Sequence, residues 1–130
     1  MRLIVKGQII GLNEYVRLCR GNKYAAAKSK KDIESVIMFC IKTQLKNVKF
    51  KKPVFLSFYW YAKNKKMDPD NIAFAKKFFF DALVKSGTIS NDGWANIAGF
   101  KDSFFIDKFN PRVEVEISEV NFEEGFNEKH

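Results

Sequence analysis

The alternation of apolar and polar positions along the chain predicts several strands. Residues 2–10 and 54–61 are rich in β-branched and aromatic residues, and each segment has the length of a largely buried strand. Residues 112–117 alternate strictly, which is typical of a strand with valine and isoleucine on its buried face. Between the last two of these strands, residues 94–101 and 104–106 show only irregular or strand-like pieces.

Two segments have helical spacing. From about residue 24 to residue 45 the apolar side chains recur at steps of three and four, which places them on one face of a helix. A second helix is predicted to begin at residue 70 or 71, behind Pro69, and to end before Gly87. Residues 13–21 are interpreted as a loop that contains a short helical turn.

The predicted order β-α-β-α-β-β indicates a single α+β domain with helices packed on a mixed sheet. The 130 residues suit one domain, and fourteen phenylalanines provide material for a core. We expect the domain to span residues 1–120 and residues 121–130 to form a flexible acidic tail. No stretch reaches the roughly 18 apolar residues of a membrane span, so no membrane partner is expected. A charge within residues 1–6 argues against a signal peptide.

Charge is divided unevenly along the chain, which the net value of +8 conceals. Residues 1–66 hold sixteen lysines and arginines against three acidic residues, a net charge of +13. Residues 67–130 hold seven basic and twelve acidic residues, a net charge of −5. The basic half predicts a polyanionic partner, and the acidic half leaves carboxylates for a separate role.

Missing residue types exclude several chemistries. The one histidine is His130, the last residue, so histidine triads and histidine-ligated metal sites have no donor. Cys19 and Cys40 have neither metal-binding nor redox spacing, which indicates a reducing, cytoplasmic setting. Neither a P-loop nor a dinucleotide-binding glycine motif occurs, so no nucleotide cofactor is expected.

Aspartates at both ends of the second predicted helix are candidate metal ligands. Asp68 and Asp70 project to the same side if their segment is extended, and carboxylates this close repel each other unless a cation lies between them. Asp92 follows the helix in an Asn-Asp-Gly turn that is able to bring back a third carboxylate. The alternative is that Asp70 or Asn71 caps the helix while Asp68 is merely solvated.

Three motifs together resemble the RusA-type Holliday junction resolvases, a family of small endodeoxyribonucleases common in phages and prophages. The motifs are Asp68-Pro69-Asp70-Asn71, the helical segment 77–83 that ends in Asp81-Ala82-Leu83, and Asn91-Asp92 after Gly87. The match is tightest over residues 63–92, and the order of elements extends it loosely over most of the chain. The resemblance implies a homodimer that resolves four-way DNA junctions by paired cuts.

By this resemblance, Asp68, Asp70 and Asp92 match the three metal-binding catalytic carboxylates of the family. Mg²⁺ prefers ligands of this type, and Mn²⁺ can substitute for it. In phosphodiester cleavage such an ion neutralises charge at the phosphate and supplies an activated water. We therefore expect a Mg²⁺-dependent nuclease.

The catalytic lysine of the family matches Lys77 when residues are counted back from Asp81. Counted forward from Asp70, the lysine would fall at Phe74, so this chain carries about one additional helical turn. Lys76 therefore remains an alternative to Lys77. The helical period also places Lys77 and Asp81 on one face, which predicts an ion pair between them.

Basic residues near the aspartates are candidates for holding DNA. No motif that reads bases is present, which favours recognition of the DNA backbone and the shape of the junction. Two alternatives stay open: a nuclease of the same fold that cuts other branched DNA, and a non-catalytic basic accessory protein whose aspartates only cap a helix. The candidate phosphate contacts are Lys63, Lys65, Lys66 and Lys76, with Arg20 and Lys23 next if the segment after the first strand folds over the site.

Overall fold

The structure is a computed structural model that describes residues 1–7 and 11–121. Residues 8–10 of the first predicted strand and residues 122–130 of the predicted tail lie outside the described residues. The described elements confirm a single α+β domain with a mixed sheet. In chain order they are β1 (Arg2–Lys6), α1 (Leu12–Gly21), α2 (Lys23–Gln44), β2 (Val54–Ala62), α3 (Pro69–Ala73), α4 (Lys76–Lys85), β3 (Ile97–Ile106) and β4 (Arg112–Glu119).

The sheet has the strand order β1-β4-β2-β3. β4 runs antiparallel to both of its neighbours, whereas β2 and β3 are parallel. Parallel neighbours need a crossover connection, and α3 and α4 provide it. The register sets Phe58 of β2 beside Val115 on one side and Asp102 on the other. As a result, β1 and β3 form the two edges of the sheet.

One face of the sheet carries the core. Phe58 and Trp60 of β2 are buried and stack with their ring centroids 5.4 Å apart. Phe79 of α4 meets both rings edge-on at 5.7 and 6.0 Å. Val115 of β4 and Leu3 of β1 pair on the same buried face. The helices therefore cover this face, and the other face of the sheet points away from them.

The long helix α2 confirms the segment predicted at residues 24–45. Asn22 caps it, because the Asn22 side-chain oxygen accepts hydrogen bonds from the backbone N–H groups of Tyr24 and Ala25. Cys19 and Cys40 are both free thiols. In the described ranges of the chain, no helix combines the length and apolar character needed to cross a membrane.

The predicted helix from residue 70 to residue 85 is interrupted, which corrects the sequence prediction. Residues near 74 and 75 form a tight turn in which the N–H of Ala75 bonds to the carbonyl of Ile72, and that of Lys77 to Phe74. These three-residue steps are tighter than α-helical bonds and separate α3 from α4. As predicted, α4 ends before Gly87, which has a φ of +79°.

Two other elements differ from the sequence prediction. Residues 12–21 form a full helix, α1, rather than a loop with one turn. Tyr15 stabilises α1 by packing on Phe74 and Phe78 at centroid distances of 5.5 and 5.8 Å. Residues 97–106 form one continuous strand, β3, rather than irregular pieces, because β2 pairs with them along most of their length.

Candidate active site

Asp68 and Asp70 lie where α3 begins, just beyond the carboxyl end of β2. Asp68 occupies the N-cap position with an extended backbone (φ −70°, ψ 153°), as Pro69 predicts, but its side chain makes no capping hydrogen bond. The Asp70 Oδ1 atom accepts a hydrogen bond from the backbone N–H of Asn71 at 2.9 Å. Both aspartates are exposed. The start of α3 thus presents two carboxylates to solvent.

The segment before α1 packs directly against this site. The Asn71 side-chain oxygen accepts a hydrogen bond from the backbone N–H of Asn13 at 2.9 Å. The approach at Gly11 is close, because a Cβ atom there would lie 2.6 Å from the Asn71 oxygen and 2.8 Å from the sulfur of Met67, and these side chains would have to shift to admit it. The segment after β1 therefore contacts the start of α3 at Asn71, whereas Arg20 lies at the other end of α1 and Lys23 at the start of α2. The role of Arg20 and Lys23 stays a prediction.

The predicted DNA-binding lysines of the loop after β2 are exposed beside the aspartates. Lys65 and Asp68 line the same groove, which has a volume of about 340 Å³. Phe104, Phe105 and Ile106 of β3 form part of its wall. Of the predicted phosphate contacts, those that are exposed are Lys63, Lys65, Lys66, Arg20 and Lys23.

Lys76 and Lys77 have different surroundings. The Lys76 ammonium forms an ion pair with Asp102 and lies 4.3 Å from the centroid of the Phe100 ring, and only 16% of its side chain is exposed. The other carboxylate oxygen of Asp102 accepts a hydrogen bond from the Trp60 indole at 2.8 Å. Lys77 is exposed. Lys76 thus joins α4 to β3, whereas Lys77 is the lysine of the two whose side chain is open to solvent.

Asp81 makes a different contact from the predicted one. Its carboxylate lies 3.5 Å from the ammonium of Lys30 on α2, so Asp81 ties α4 to α2 instead of pairing with Lys77. Beside it, the buried Glu34 of α2 pairs with Lys85 of α4. The hydrogen bond from Lys85 to Glu34 raises the pKa of Lys85. These contacts hold α4, and with it Lys77, against α2.

Asp92 lies at the opposite end of the sheet from Asp68. It is exposed in a turn that precedes β3, where the Asn91 side-chain oxygen accepts a hydrogen bond from the Gly93 N–H. Because β2 and β3 are parallel, their first residues, Val54 and Ile97, are paired at one end of the sheet. Asp92 comes before Ile97 at that end, whereas Asp68 comes after the last residue of β2, at the other end. At roughly 3.3 Å per residue, β2 alone separates these ends by about 26 Å.

A single chain therefore brings Asp68 and Asp70 together and leaves Asp92 apart. In the part of the chain that the structure describes, no group of three His, Cys, Asp or Glu residues is placed to hold a metal ion. Mg²⁺ is commonly held by one or two carboxylates and retained water, so the Asp68 and Asp70 pair suits this ion, whereas the full set of three is not assembled. The role of Asp92 stays a prediction.

A network of charges on the outer face of the sheet was not predicted from the sequence. Glu114 of β4 accepts hydrogen bonds from Arg2 at 2.6 Å and from Arg112 at 2.7 Å. Arg112 also binds Asp107, and Arg2 binds Glu116. The alternating charges of β4 indicated an outward-facing strand, but they carry no signal for which residues the charged side chains pair with.

The mixed α+β fold thus places exposed carboxylates beside a basic loop, an arrangement compatible with a domain that acts on nucleic acid. The sequence model of the family described as endodeoxyribonuclease RusA matches residues 12–118, which is most of the chain. The protein belongs to the RusA endodeoxyribonuclease family, which confirms the resemblance seen in its motifs. None of the curated proteins compared with the chain matches it.

Proposed function

We propose that this protein is a Mg²⁺-dependent endonuclease of the cytoplasm that resolves four-way DNA junctions as a homodimer. The observation that carries the proposal is the pair of exposed aspartates, Asp68 and Asp70, at the start of α3 beside an exposed basic loop. This pair occurs in a chain of an endodeoxyribonuclease family. Mn²⁺ is expected to substitute for Mg²⁺.

The charges beside the site suit a DNA substrate. Two carboxylates alone repel a phosphate backbone, so a nuclease site of this type needs cations around it. Lys63, Lys65 and Lys66 are exposed in the loop that leads into Asp68, and Lys65 shares a groove with it. Each lysine that neutralises a phosphate releases a counterion and thereby favours binding.

The chemistry is divided between two aspartates and one lysine. Asp68 and Asp70 are the residues that would hold Mg²⁺, which when bound supplies charge neutralisation and an activated water. Lys77, exposed in the first turn of α4, stabilises charge on the phosphate or the leaving oxygen as a point charge. Lys76 is not available for this role because its ammonium is paired with Asp102.

The proposal is tested by incubating the protein with a synthetic four-way junction, a flap and a linear duplex, each with Mg²⁺, Mn²⁺ or a chelator. We expect selective cutting of the four-way junction that the chelator abolishes. Asp70→Asn and Lys77→Ala are expected to lower the cleavage rate on the order of 10²–10³-fold while junction binding is kept, because each removes a group that acts on developing charge.

Asp32→Asn is the matched control, since Asp32 is exposed on α2 and belongs to no part of the site. It should cut at the wild-type rate. Equal cutting of all three DNAs would contradict selectivity for junctions, and preferred cutting of the flap would favour a nuclease for other branched DNA. Absence of cutting under every condition would favour the non-catalytic accessory protein.

A further inference from the structure

A second groove, with an apolar floor and a basic rim, lies where α2 ends. Its volume is about 350 Å³. Side chains from the last turns of α2 and from the segment that follows the helix form most of its wall. The residues that define this groove, which we call the basic groove, are Met38, Phe39, Lys42, Lys46, Val48 and Lys49.

The floor of the basic groove exposes apolar surface to solvent. Phe39 is 68% exposed, although it lies on a helix that packs against the sheet. Met38 and Val48, which line the same groove, are half-buried. A single exposed phenylalanine is common on protein surfaces, but one that shares a concave site with other apolar side chains favours a ligand with an apolar group.

The rim of the basic groove favours an acidic ligand. Its three lysines are exposed. In residues 1–7 and 11–121, the lysines that pair with a carboxylate are Lys30, Lys76 and Lys85, so the rim has no counter-charge there. Lys46 also has a φ of +45°, a left-handed conformation that suits glycine and strains other residues. The chain thus carries a positive charge where the backbone favours glycine.

The end of β4 points toward this groove. The backbone N–H of Val120 donates to the carbonyl of Pro53 at 2.8 Å, and that of Lys52 donates to the Glu119 carboxylate at 3.1 Å. Because β4 runs antiparallel to β2, its end is directed back along the residues that precede β2. Those residues include Lys49, four positions before Pro53.

The sequence that follows β4 has the complementary chemistry. Residues 122–130, which we call the acidic segment, contain three glutamates and one lysine, a net charge of −2 with histidine neutral. They also contain Phe122 and Phe126. At about 3.3 Å per residue, the seven residues from the end of β4 to Phe126 span up to about 23 Å, whereas the rim begins about 13 Å before Pro53. The acidic segment is therefore long enough to reach the basic groove.

We propose that the acidic segment binds in the basic groove of its own chain, with a phenylalanine on the apolar floor and glutamates on the rim, and that this contact withholds the rim lysines from DNA. In this arrangement the segment is bound and is not a flexible tail. The contact rests on the groove, the direction of β4 and the sequence of residues 122–130. Only the withholding from DNA rests on the proposed function.

The contact is tested by NMR of the full chain with ¹³C-labelled methionine methyl groups. Met38 lies in the basic groove, whereas Met67 lies beside Asp68 and serves as the reference. Removal of residues 122–130 should move the Met38 signal, because an aromatic ring leaves its surroundings, and should not move the Met67 signal. Phe122→Ala with Phe126→Ala should have the same effect.

Charge reversal tests whether the rim lysines hold the segment. Lys46→Glu with Lys49→Glu should move the Met38 signal to its position in the shortened chain. The further changes Glu123→Lys and Glu124→Lys should return the signal to its wild-type position, because they restore opposite charges across the contact. Failure of the second pair to restore the signal would contradict pairing between these charges.

The matched control is Lys28→Glu with Lys31→Glu, which makes the same change of charge at exposed positions near the start of α2 and should leave the Met38 signal in place. In the unaltered chain, salt at about 1 M should move the signal toward its position in the shortened chain, because it screens the charges. A Met38 signal that responds neither to salt nor to removal of the segment contradicts the contact.

Mixing two chains shows which copy supplies the segment. A labelled shortened chain is combined with an unlabelled full chain, and its Met38 signal should keep the position of the shortened chain. A shift to the wild-type position would show that the segment comes from a second copy, which contradicts binding within one chain. A Met38 signal that moves only when duplex DNA is added would identify DNA as the occupant and contradict the proposal.

The effect on DNA is tested by salt titration of binding to a linear duplex. Removal of residues 122–130 should steepen the slope of log K against log salt, by up to about 0.9 for each rim lysine that is released. Lys46→Ala with Lys49→Ala should make the slope shallower by about 1.8 in the shortened chain and leave it unchanged in the full chain. Equal effects in both chains would contradict the withholding. A protein that binds no DNA contradicts the proposed function, whereas the Met38 signal decides the contact independently.

Discussion

Glu114 is almost fully buried on β4, between Arg112 of the same strand and Arg2 of the neighbouring strand β1. Hydrogen bonds from Arg112 and then from Arg2 lower the pKa of Glu114 below its ordinary value of 4.5. A carboxylate whose pKa is lowered by folding stabilises the folded state at pH values above its unfolded pKa. That stabilisation is lost as the pH falls through the lowered, folded value.

Glu114→Gln should therefore lower the free energy of unfolding near neutral pH and make its decline on acidification shallower. The measurement is urea denaturation at several pH values from about 6 downward, through the ordinary pKa of Glu114 and below it. Asp32→Asn, at an exposed position of α2, should keep the wild-type slope. A Glu114→Gln variant whose stability falls as steeply as that of the wild type would contradict a role for this carboxylate.

Individual residues show which features a sequence reveals. The extended conformation of Asp68 depends on its neighbour in sequence, because Pro69 imposes it. The burial of Val113, Val115 and Ile117 likewise follows from their alternation within one segment. Both features were predicted and are present. The partners of Asp102 are not local. Trp60 lies 42 residues away in sequence and Lys76 lies 26, so nothing in the sequence distinguishes this aspartate from a solvated one.

Between elements, α2 and α4 meet at a charge cluster around one buried carboxylate. The Glu34 side chain is only 4% exposed, whereas its partner Lys85 is more than half exposed. The second oxygen of Glu34 has no hydrogen-bond partner among the described residues, and the ammonium of Lys30 lies 3.8 Å from it. Removal of Glu34 and removal of Lys85 are therefore expected to lower the stability by different amounts, because only the glutamate is shielded from water.

Lys85→Met should lower the melting temperature more than Glu34→Met does. Without Lys85, a buried carboxylate loses its nearest counter-charge, whereas without Glu34 the lysines are hydrated by solvent and methionine fills the space. Differential scanning calorimetry of both variants measures the difference. Lys31→Met, at an exposed position of α2, is expected to melt like the wild type. The reverse order of the two melting temperatures would contradict this account of the cluster.

Among the elements, those with a clear apolar pattern in the sequence could be predicted, whereas β3 and α1 could not. The strands β2 and β4 lie inside the sheet, and the sequence predicts both. The strand β3 has Phe104 and Phe105 on opposite faces, both partly exposed, so the alternation that reveals a strand is absent there. Likewise α1 depends on Tyr15 packing against Phe74, a contact of elements distant in sequence.

For the whole molecule, the uneven charge of the sequence has a measurable effect on binding. Residues 1–66 carry a net charge of +13, and the basic loop of residues 63–66 lies beside the aspartates. Because each phosphate contact contributes about −0.9 to the slope of log K against log salt, a double variant of Lys63→Ala and Lys65→Ala should make the slope for junction binding shallower by about 1.8.

The matched control for the salt titration changes two exposed lysines of α2, with Lys31→Ala and Lys42→Ala. This pair has the same loss of net charge but lies on the helix rather than in the loop, and its slope should match that of the wild type. Fluorescence anisotropy of a labelled junction measures both slopes. Equal slopes for the two double variants would show that overall charge, and not the loop, determines the contacts.

The contact of Gln44 with the backbone of Ile4 closes one edge of the sheet. The Gln44 amide donates a hydrogen bond to the Ile4 carbonyl, and its side-chain oxygen accepts one from the Ile4 N–H, each at 2.7 Å. Unpaired backbone groups at a strand edge are a template for pairing with another chain. One glutamine side chain of α2 thus occupies backbone groups of β1 that would otherwise be open to a foreign strand.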